Sequence, residues 1–372
     1  MTATWAPPGP RVQAPDPHAA ALPQHGAHPG PLEAFLAAGP GTDVDHDPEL
    51  AALWDALGDA TRGGRRLRPA LVAAAYQACR RDGRPDAGPA AVLHVADAVE
   101  LLHAAFVMHD DVIDDDDVRR GRPNVVGTFT RRGVDAGAPG PAARGYGRAA
   151  GILAGDLALV GATRLLATTP AAPGVVAALL DLLDRAVGAS AAGELQDVRL
   201  ALGVDSPTLA EVLTVTELKT AAYSFCLPLC AGAVLAGADA RTTAELQRVG
   251  RLLGIAFQLR DDLLGVFGDE AVTGKSTLGD LREGKLTALV AHARTTSAWP
   301  RIAAHLGDPA LTAADAQLLR TELERCGSRE AVEVLVEQHL RAARELTLAA
   351  GLPASVLADV ERLVRTREGR AA

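Results

Sequence analysis

Residues 109–123 read His-Asp-Asp-Val-Ile-Asp-Asp-Asp-Asp-Val-Arg-Arg-Gly-Arg-Pro, which places six aspartates within eight positions and two arginines directly behind them. Asp110 and Asp114 stand four apart, so on a helix they share one face, one turn above each other. Carboxylates packed this closely repel unless cations lie among them. Mg2+ answers that need, because it takes hard oxygen ligands, keeps several waters and joins carboxylates to substrate phosphates. An isolated acid run is more often a solvated helix end. Arg119 and Arg120 change the weighting, since the planar guanidinium fork suits phosphate oxygens, and metal with guanidinium describes a diphosphate site.

A second acidic set lies far downstream in Phe257-Gln258-Leu259-Arg260-Asp261-Asp262. On a helix Phe257, Asp261 and Gly265 share a face with Gln258 and Asp262 beside them. Asp261 can then reach a metal, while Gln258 offers an amide to phosphate or water. Lys275 and Lys285 follow. An early segment, Gly63-Gly64-Arg65-Arg66-Leu67-Arg68-Pro69, sets three arginines after two glycines, a mobile cationic turn that suits a second diphosphate and equally fits a surface patch.

For these sets to act together, helices must bring them to one cavity. Val92, Val95, Val99, Leu102 and Phe106 recur at spacings of three and four and lay an apolar stripe on the helix that ends in the first cluster. Leu246, Val249, Leu253, Ala256 and Leu263 do the same before and through the second. Strand-like alternation is scarce, and Pro69, Pro123, Pro228 and Gly284 fall where helices begin, end or bend. The chain of 372 residues is 48% hydrophobic and only 3% aromatic, in keeping with a large helical core. The expected fold is all-α: a single-domain antiparallel bundle of about ten helices with the active site in a central cavity.

Residues 1–30, rich in Pro, Ala, Gly and His, read as a disordered tail whose His18, His25 and His28 are solvated, and residues 31–372 read as one domain. Gly133 to Gly147 reads as a loop between helices. A net charge of -9 argues against a nucleic-acid partner. Cys79, Cys226, Cys230 and Cys326 form no zinc-like or CxxC spacing and read as reduced structural thiols. No uninterrupted apolar run of roughly 18 residues reads as a membrane span and no signal pattern opens the chain, so a cytoplasmic protein is expected.

The compound pattern at the first cluster resembles the trans-isoprenyl diphosphate synthases of the polyprenyl synthetase family, in particular bacterial members that make farnesyl or geranylgeranyl diphosphate. The family's DDxxD followed by RRGxP is met without gaps by Asp110, Asp111, Asp114, Arg119, Arg120, Gly121 and Pro123, and the resemblance runs from about Leu53 to about Arg365. Gly63, Gly64, Arg65, Arg68 and Pro69 match the segment that grips the homoallylic diphosphate, with Arg65 where lysine is usual. His103 matches a residue that contacts the same group, and Lys219 with Thr220 resembles the pair whose lysine contacts the allylic diphosphate. Phe257-Gln258 and Asp261-Asp262 resemble the second aspartate-rich motif, and Lys275, Asp280 and Lys285 the residues after it. Two departures stand out: Glu194 occupies a place where the family usually has Gln, and Gly265 replaces the last aspartate of the second motif.

The resemblance implies a chain-elongating prenyltransferase that joins isopentenyl diphosphate to allylic prenyl diphosphates. It implies about three Mg2+ ions, held through Asp110, Asp111, Asp114 and Asp261. Lys219, Lys275 and Arg119 would neutralise the allylic diphosphate, and Thr220, Gln258 and Lys285 would also bind substrate. Arg65, Arg68, His103 and Arg120 would hold the isopentenyl diphosphate. Chain length is expected to be set at Ala105 and Phe106, where a small first residue points to geranylgeranyl diphosphate, with farnesyl next. A homodimer is implied as well. A class I terpene cyclase and a non-catalytic synthase subunit are the competing readings; the Gly63 to Pro69 turn speaks against the first and the intact first cluster against the second.

Overall fold

Capping residues set where the helices begin. Asp47 accepts the backbone N–H groups of Glu49 and Leu50 at 2.8 and 3.2 Å and opens α2 (Pro48–Ala60) after the short α1 (Pro31–Ala37). A computed structural model describes residues 29–39, 41, 47–81, 83–119, 121–204, 206–268 and 277–365. All but the last two residues of the expected tail, with its three histidines, lie outside them, as do Arg120 and Lys275. α3 (Leu67–Cys79) and α4 (Gly88–Ile113) follow, then a two-residue hairpin of β1 (Val118–Arg119) and β2 (Arg122–Pro123) turned by Gly121 at φ 71°. Asn124 caps α5 (Val125–Asp135) through the N–H of Gly127, and α6 (Gly140–Ala167) and α7 (Pro173–Ala201) are the next long rods.

Thr208 and Glu211 form a reciprocal capping box on α8 (Leu209–Thr216). The helix then widens into a π-helical segment, Glu217–Cys226, and tightens again at Pro228 into α9 (Leu227–Leu235). Asp239 caps α10 (Ala240–Phe267), the helix of the second cluster. After residues 269–276 come the short α11 (Gly279–Glu283), ended by Gly284 at φ 68°, and later helices, the longest Ser328–Ala349. The fold is all-α, as expected. α4 packs on α6, α3 on α9, and α10 on the π-helical segment and on Ser328–Ala349. One contiguous apolar core runs from Leu32 to Val364 and takes in the whole predicted stripe of α10 and, on α4, Val92, Val95, Val99 and Leu102; Phe106 packs against its edge.

One expectation is corrected. Gly133 to Gly147 is not a loop: only residues 136–139 separate α5 from α6. Gly133 and Gly147 serve packing rather than chain breaking, for a Cβ on Gly133 would lie 3.0 Å from Ala143 Cα and one on Gly147 would overlap Thr130, while Gly137 at φ 86° turns the chain in the short connection. A second finding bears on the expectation of no membrane span. Gly88–Ile113, Gly140–Ala167 and Leu209–Leu235 are long and apolar enough to cross a membrane by length and composition, and 72%, 50% and 61% of their apolar windows are buried inside the protein.

Candidate active site

The last turn of α4 delivers Asp110 and Asp111, and Asp114 caps its C-terminal end, on the wall of a cavity of about 1990 Å3. That is larger than the roughly 300–1,000 Å3 of ordinary small-molecule sites. Beyond Asp114 the chain turns sharply: Asp115 adopts φ 58° and is held from α6 by Arg144 at 3.2 Å and Arg148 at 2.8 Å. The hairpin then folds Arg119 back, where Nε and Nη2 donate to Asp111 Oδ1 at 2.9 and 2.6 Å, with Nη2 3.9 Å from Asp110 Oδ2. Asp111 is thus pinned and buried; burial raises its pKa and Arg119 opposes that rise. The Asp114 carboxyl is pushed up to about 6 by burial and by Asp110 beside it.

Lys219 enters from the π-helical segment, whose extra residue per turn widens the helix and turns Lys219, Thr220 and Tyr223 to the cavity. Gly193 lets α7 approach the backbone there, since a Cβ at that position would lie 2.8 Å from Leu218 C and Lys219 Cα. Lys219 Nζ stands 3.3 Å from Asp110 Oδ1, 2.9 Å from Glu194 Oε2 and 2.8 Å from Asp197 Oδ2. Burial works against its charge, but Asp110, Asp197 and Glu194 outweigh it and raise the pKa. Glu194, the departure noted in the sequence, is therefore half of a carboxylate ledge whose other half, Asp197, the motif reading did not single out. Its signal was the three-residue spacing from Glu194, which keeps both on one face of α7.

On α10 the more buried carboxylate is Asp262. Gln258 Nε2 donates to Asp262 Oδ1 at 2.9 Å, and Thr220 Oγ1 donates to Gln258 Oε1 at 3.2 Å, so the Gln258 amide links two helices on the cavity wall. Burial pushes the Asp262 carboxyl up to about 7, with Asp261 and Asp280 adding to the rise and Lys285 and Gln258 opposing it. Asp261 lines the cavity. At Gly265 the missing side chain is filled from outside the motif, because Asp280 of α11 places its carboxylate where a Cβ would stand, with Cγ 3.1 Å from that point. Lys285 lies among these acids; burial disfavours its charge and Asp280 and Asp262 more than restore it.

The early cationic turn reaches the same cavity through Arg65, Arg66 and Arg68. Arg68 donates to Ser224 Oγ from Nε at 3.2 Å and Nη2 at 2.8 Å, and its guanidinium lies 5.1 Å from the centre of the Tyr223 ring. The Tyr223 hydroxyl is 3.3 Å from His103 Nδ1, and Phe106 meets the Tyr223 ring edge-on at 4.8 Å. Tyr223 and Ser224 went unremarked as site residues in the sequence. Of the chain-length pair, Phe106 lines the cavity, whereas Ala105 is fully buried and is not among the lining residues.

A model of the polyprenyl synthetase family matches residues 51–317. The chain belongs to that family. Its relatives include the geranylgeranyl diphosphate synthase of Mycobacterium tuberculosis, 33% identical over 300 residues covering 78% of this chain and 77% of that protein. The octaprenyl diphosphate synthase of Escherichia coli is 30% identical over 74% of this chain and 72% of its own. A geranylgeranyl pyrophosphate synthase structure from Corynebacterium glutamicum, complexed with isoprenyl diphosphate and magnesium, superposes with a TM-score of 0.82 at 31% identity, covering 91% of this chain and 96% of that one. This polyprenyl synthetase is accordingly a transferase acting on prenyl diphosphates.

The donor set suits a divalent cation. Among the described residues no three acidic, histidine or cysteine side chains close on one point as a protein-only metal site. Hard carboxylates instead line an open cavity, which matches Mg2+ shared between one or two carboxylates, phosphate and water. Desolvation and neighbouring carboxylates raise Asp114 and Asp262 against the pull of Lys219 and Lys285, and a divalent ion beside them would favour their charged forms.

Proposed function

We propose that this synthase is a magnesium-dependent, chain-elongating prenyltransferase that condenses isopentenyl diphosphate with allylic diphosphates and releases geranylgeranyl diphosphate. The observation that carries the reading is a pair of separate cationic sets on one cavity: Arg65 and Arg68 of the early turn, and Lys219 and Lys285 among carboxylates. Two diphosphates need two such sets. A terpene cyclase needs one.

Magnesium bound through Asp110, Asp111, Asp114 and Asp261 supplies charge neutralisation to the allylic diphosphate leaving group. Lys219, Lys285 and Arg119, with Lys275, add positive charge around that group, and Thr220 and Gln258 fix the wall beside it. Arg65, Arg68, His103 and Arg120 hold isopentenyl diphosphate so that its double bond faces the allylic carbon. The new carbon–carbon bond forms from that double bond, the allylic carbon–oxygen bond breaks with its electrons on the diphosphate, and the proton lost from the product passes to that diphosphate. Val107, Leu159, Val187 and Ala191 line an apolar part of the cavity that keeps water from the cation. Exposed Ile152, Leu153 and Val160 give α6 an apolar face of the kind a second copy covers, which supports a homodimer, and burial of half or more of each long apolar helix inside the protein supports a chain without a membrane span, proposed to act in the cytoplasm.

Farnesyl diphosphate is the second reading, favoured by the Phe106 ring on the cavity wall against Tyr223. Incubating the purified protein with Mg2+, isopentenyl diphosphate and each allylic starter, with products resolved by mass spectrometry, tests both. Geranylgeranyl diphosphate is the expected main product. Nothing longer than farnesyl overturns the product assignment, and turnover of an allylic diphosphate without isopentenyl diphosphate overturns the reaction. Asp110→Ala is expected to lower turnover by about 10^2–10^3-fold, the usual cost of losing one group that stabilises the transition-state charge.

A further inference from the structure

One buried carboxylate is committed to a turn rather than to the chemistry. Asp97 lies on α4 between Ala96 and Ala98, only 4% exposed. Its Oδ1 accepts from Arg66 Nη2 at 2.8 Å, and its Oδ2 accepts the backbone N–H of Leu32 in α1 at 3.0 Å. Both oxygens are thereby spent on segments distant in sequence.

Arg66 is the residue that needs such an anchor. It takes φ 45° directly before α3, following Gly63 at 82° and Gly64 at 79°. Glycine tolerates these values, but a left-handed arginine persists only where its surroundings over-determine it. The guanidinium bond to Asp97 is a charge-assisted contact of the required strength. Arg65 precedes this left-handed residue and Arg68 follows it by two, so the φ of Arg66 sets how the two are directed relative to each other. Both line the cavity in the observed conformation.

The other half of the junction is the N-terminal helix. α1 is held by Trp54, whose Nε1 donates to Leu36 O at 2.8 Å and whose ring meets Phe35 at 5.3 Å. This helix lies before residue 51, where the family match begins. Asp97 therefore joins an element outside the matched segment to the cationic turn inside it.

We propose that Asp97 is a positioning residue that locks the Arg66 turn so that Arg65 and Arg68 meet the diphosphate of isopentenyl diphosphate, and that it braces this turn against α1. The inference rests on assigning that turn to isopentenyl diphosphate. Asp97→Asn keeps a carbonyl oxygen for Leu32 but presents a neutral amide to Arg66, and Arg66→Gln breaks the same bond from the exposed side. In the full-length enzyme each is expected to raise KM for isopentenyl diphosphate about tenfold, as loss of a charge-assisted hydrogen bond does. The KM for the allylic diphosphate and kcat should stay within about twofold, and the double variant should be no worse than the weaker single one, because one bond is being removed.

Should Asp97→Asn melt too low to assay, Arg66→Gln reads the same bond. An unchanged isopentenyl diphosphate KM in Arg66→Gln, or equal rises in both substrates' KM, overturns the proposal. Arg68→Gln separates it from the reading beneath it. If Arg68→Gln leaves that KM unchanged, the turn does not hold isopentenyl diphosphate and both fall. If it raises KM while Asp97→Asn and Arg66→Gln do not, only the positioning role falls.

Discussion

Completing the second acidic motif by Gly265→Asp is expected to damage this enzyme. A Cβ at residue 265 would stand 3.1 Å from Asp280 Cγ and closer still to Oδ2, whereas unstrained carbon pairs meet at about 3.5–4.0 Å. Asp280 must then rotate away. Its backbone carbonyl accepts the N–H of Lys285 at 3.1 Å, and its carboxylate is the first of the two that hold Lys285 charged. Displacing it disturbs the cation as well as the space. Overpacking of this kind costs about 1–3 kcal/mol. The added carboxylate, beside Asp261, Asp262 and Asp280, adds repulsion of up to about 4 kcal/mol for a charge near 4 Å at an effective dielectric of 20. In a chain of this length even about 2 kcal/mol lowers Tm by roughly 4 °C.

Two further variants separate the causes. Gly265→Ala adds the overlap without the charge and should show the smaller loss of Tm. Gly265→Asp combined with Asp280→Gly moves the carboxylate back along the chain and should recover activity relative to Gly265→Asp alone. The assay is thermal melting without Mg2+, followed by kcat, allylic KM and the Mg2+ concentration for half-maximal rate. If Gly265→Asp melts within about 1 °C of the parent and turns over faster or at lower Mg2+, Asp280 does not fill the place of the missing aspartate and the reasoning fails.

The carboxyls of Asp114, at the cavity mouth, and of Asp262, buried on α10, are pushed up to about 6 and about 7 and titrate near about 3.9 in the unfolded chain. Between those values the folded protein binds more protons than the unfolded one, so stability falls as pH rises through this window. The Tm of the metal-free protein should therefore climb as pH is lowered from 8 toward 5, and a steady decline over that range would refute it. Mg2+ requires the deprotonated carboxylates, so the Tm increment it gives should shrink over the same interval. At the chain-length positions, Phe106→Ala opens the cavity wall and should shift products to longer chains by mass spectrometry. Ala105→Phe forces a ring into a fully packed position and should cost about 1–3 kcal/mol of stability, read by melting; a stable variant that stops cleanly at farnesyl would show that residue 105 faces the tail after all.

Chemistry carried by neighbours along the chain was legible in the sequence. Asp110 to Pro123 announces carboxylates and guanidinium within one turn and one hairpin, and the apolar stripes of α4 and α10 fixed the fold class because they repeat at helical spacing. What stayed hidden depends on partners that only packing supplies: Asp197 to Lys219, Ser224 to Arg68 and Asp97 to Arg66. The π-helical segment compounds this, since ten residues wound wider than 3.6 per turn carry Tyr223 and Ser224 away from the faces an α-helical count assigns them. Glycine misled twice, and for one reason. In α5 and α6 it looked like a chain break and proved to be room for a neighbouring helix; at 265 it looked like a lost ligand and proved to be room for Asp280. A motif counts side chains along one strand of sequence, whereas a metal and a diphosphate respond to the charge that reaches the cavity wall, and Asp280 can deliver that charge from another helix only because residue 265 has no side chain in its way.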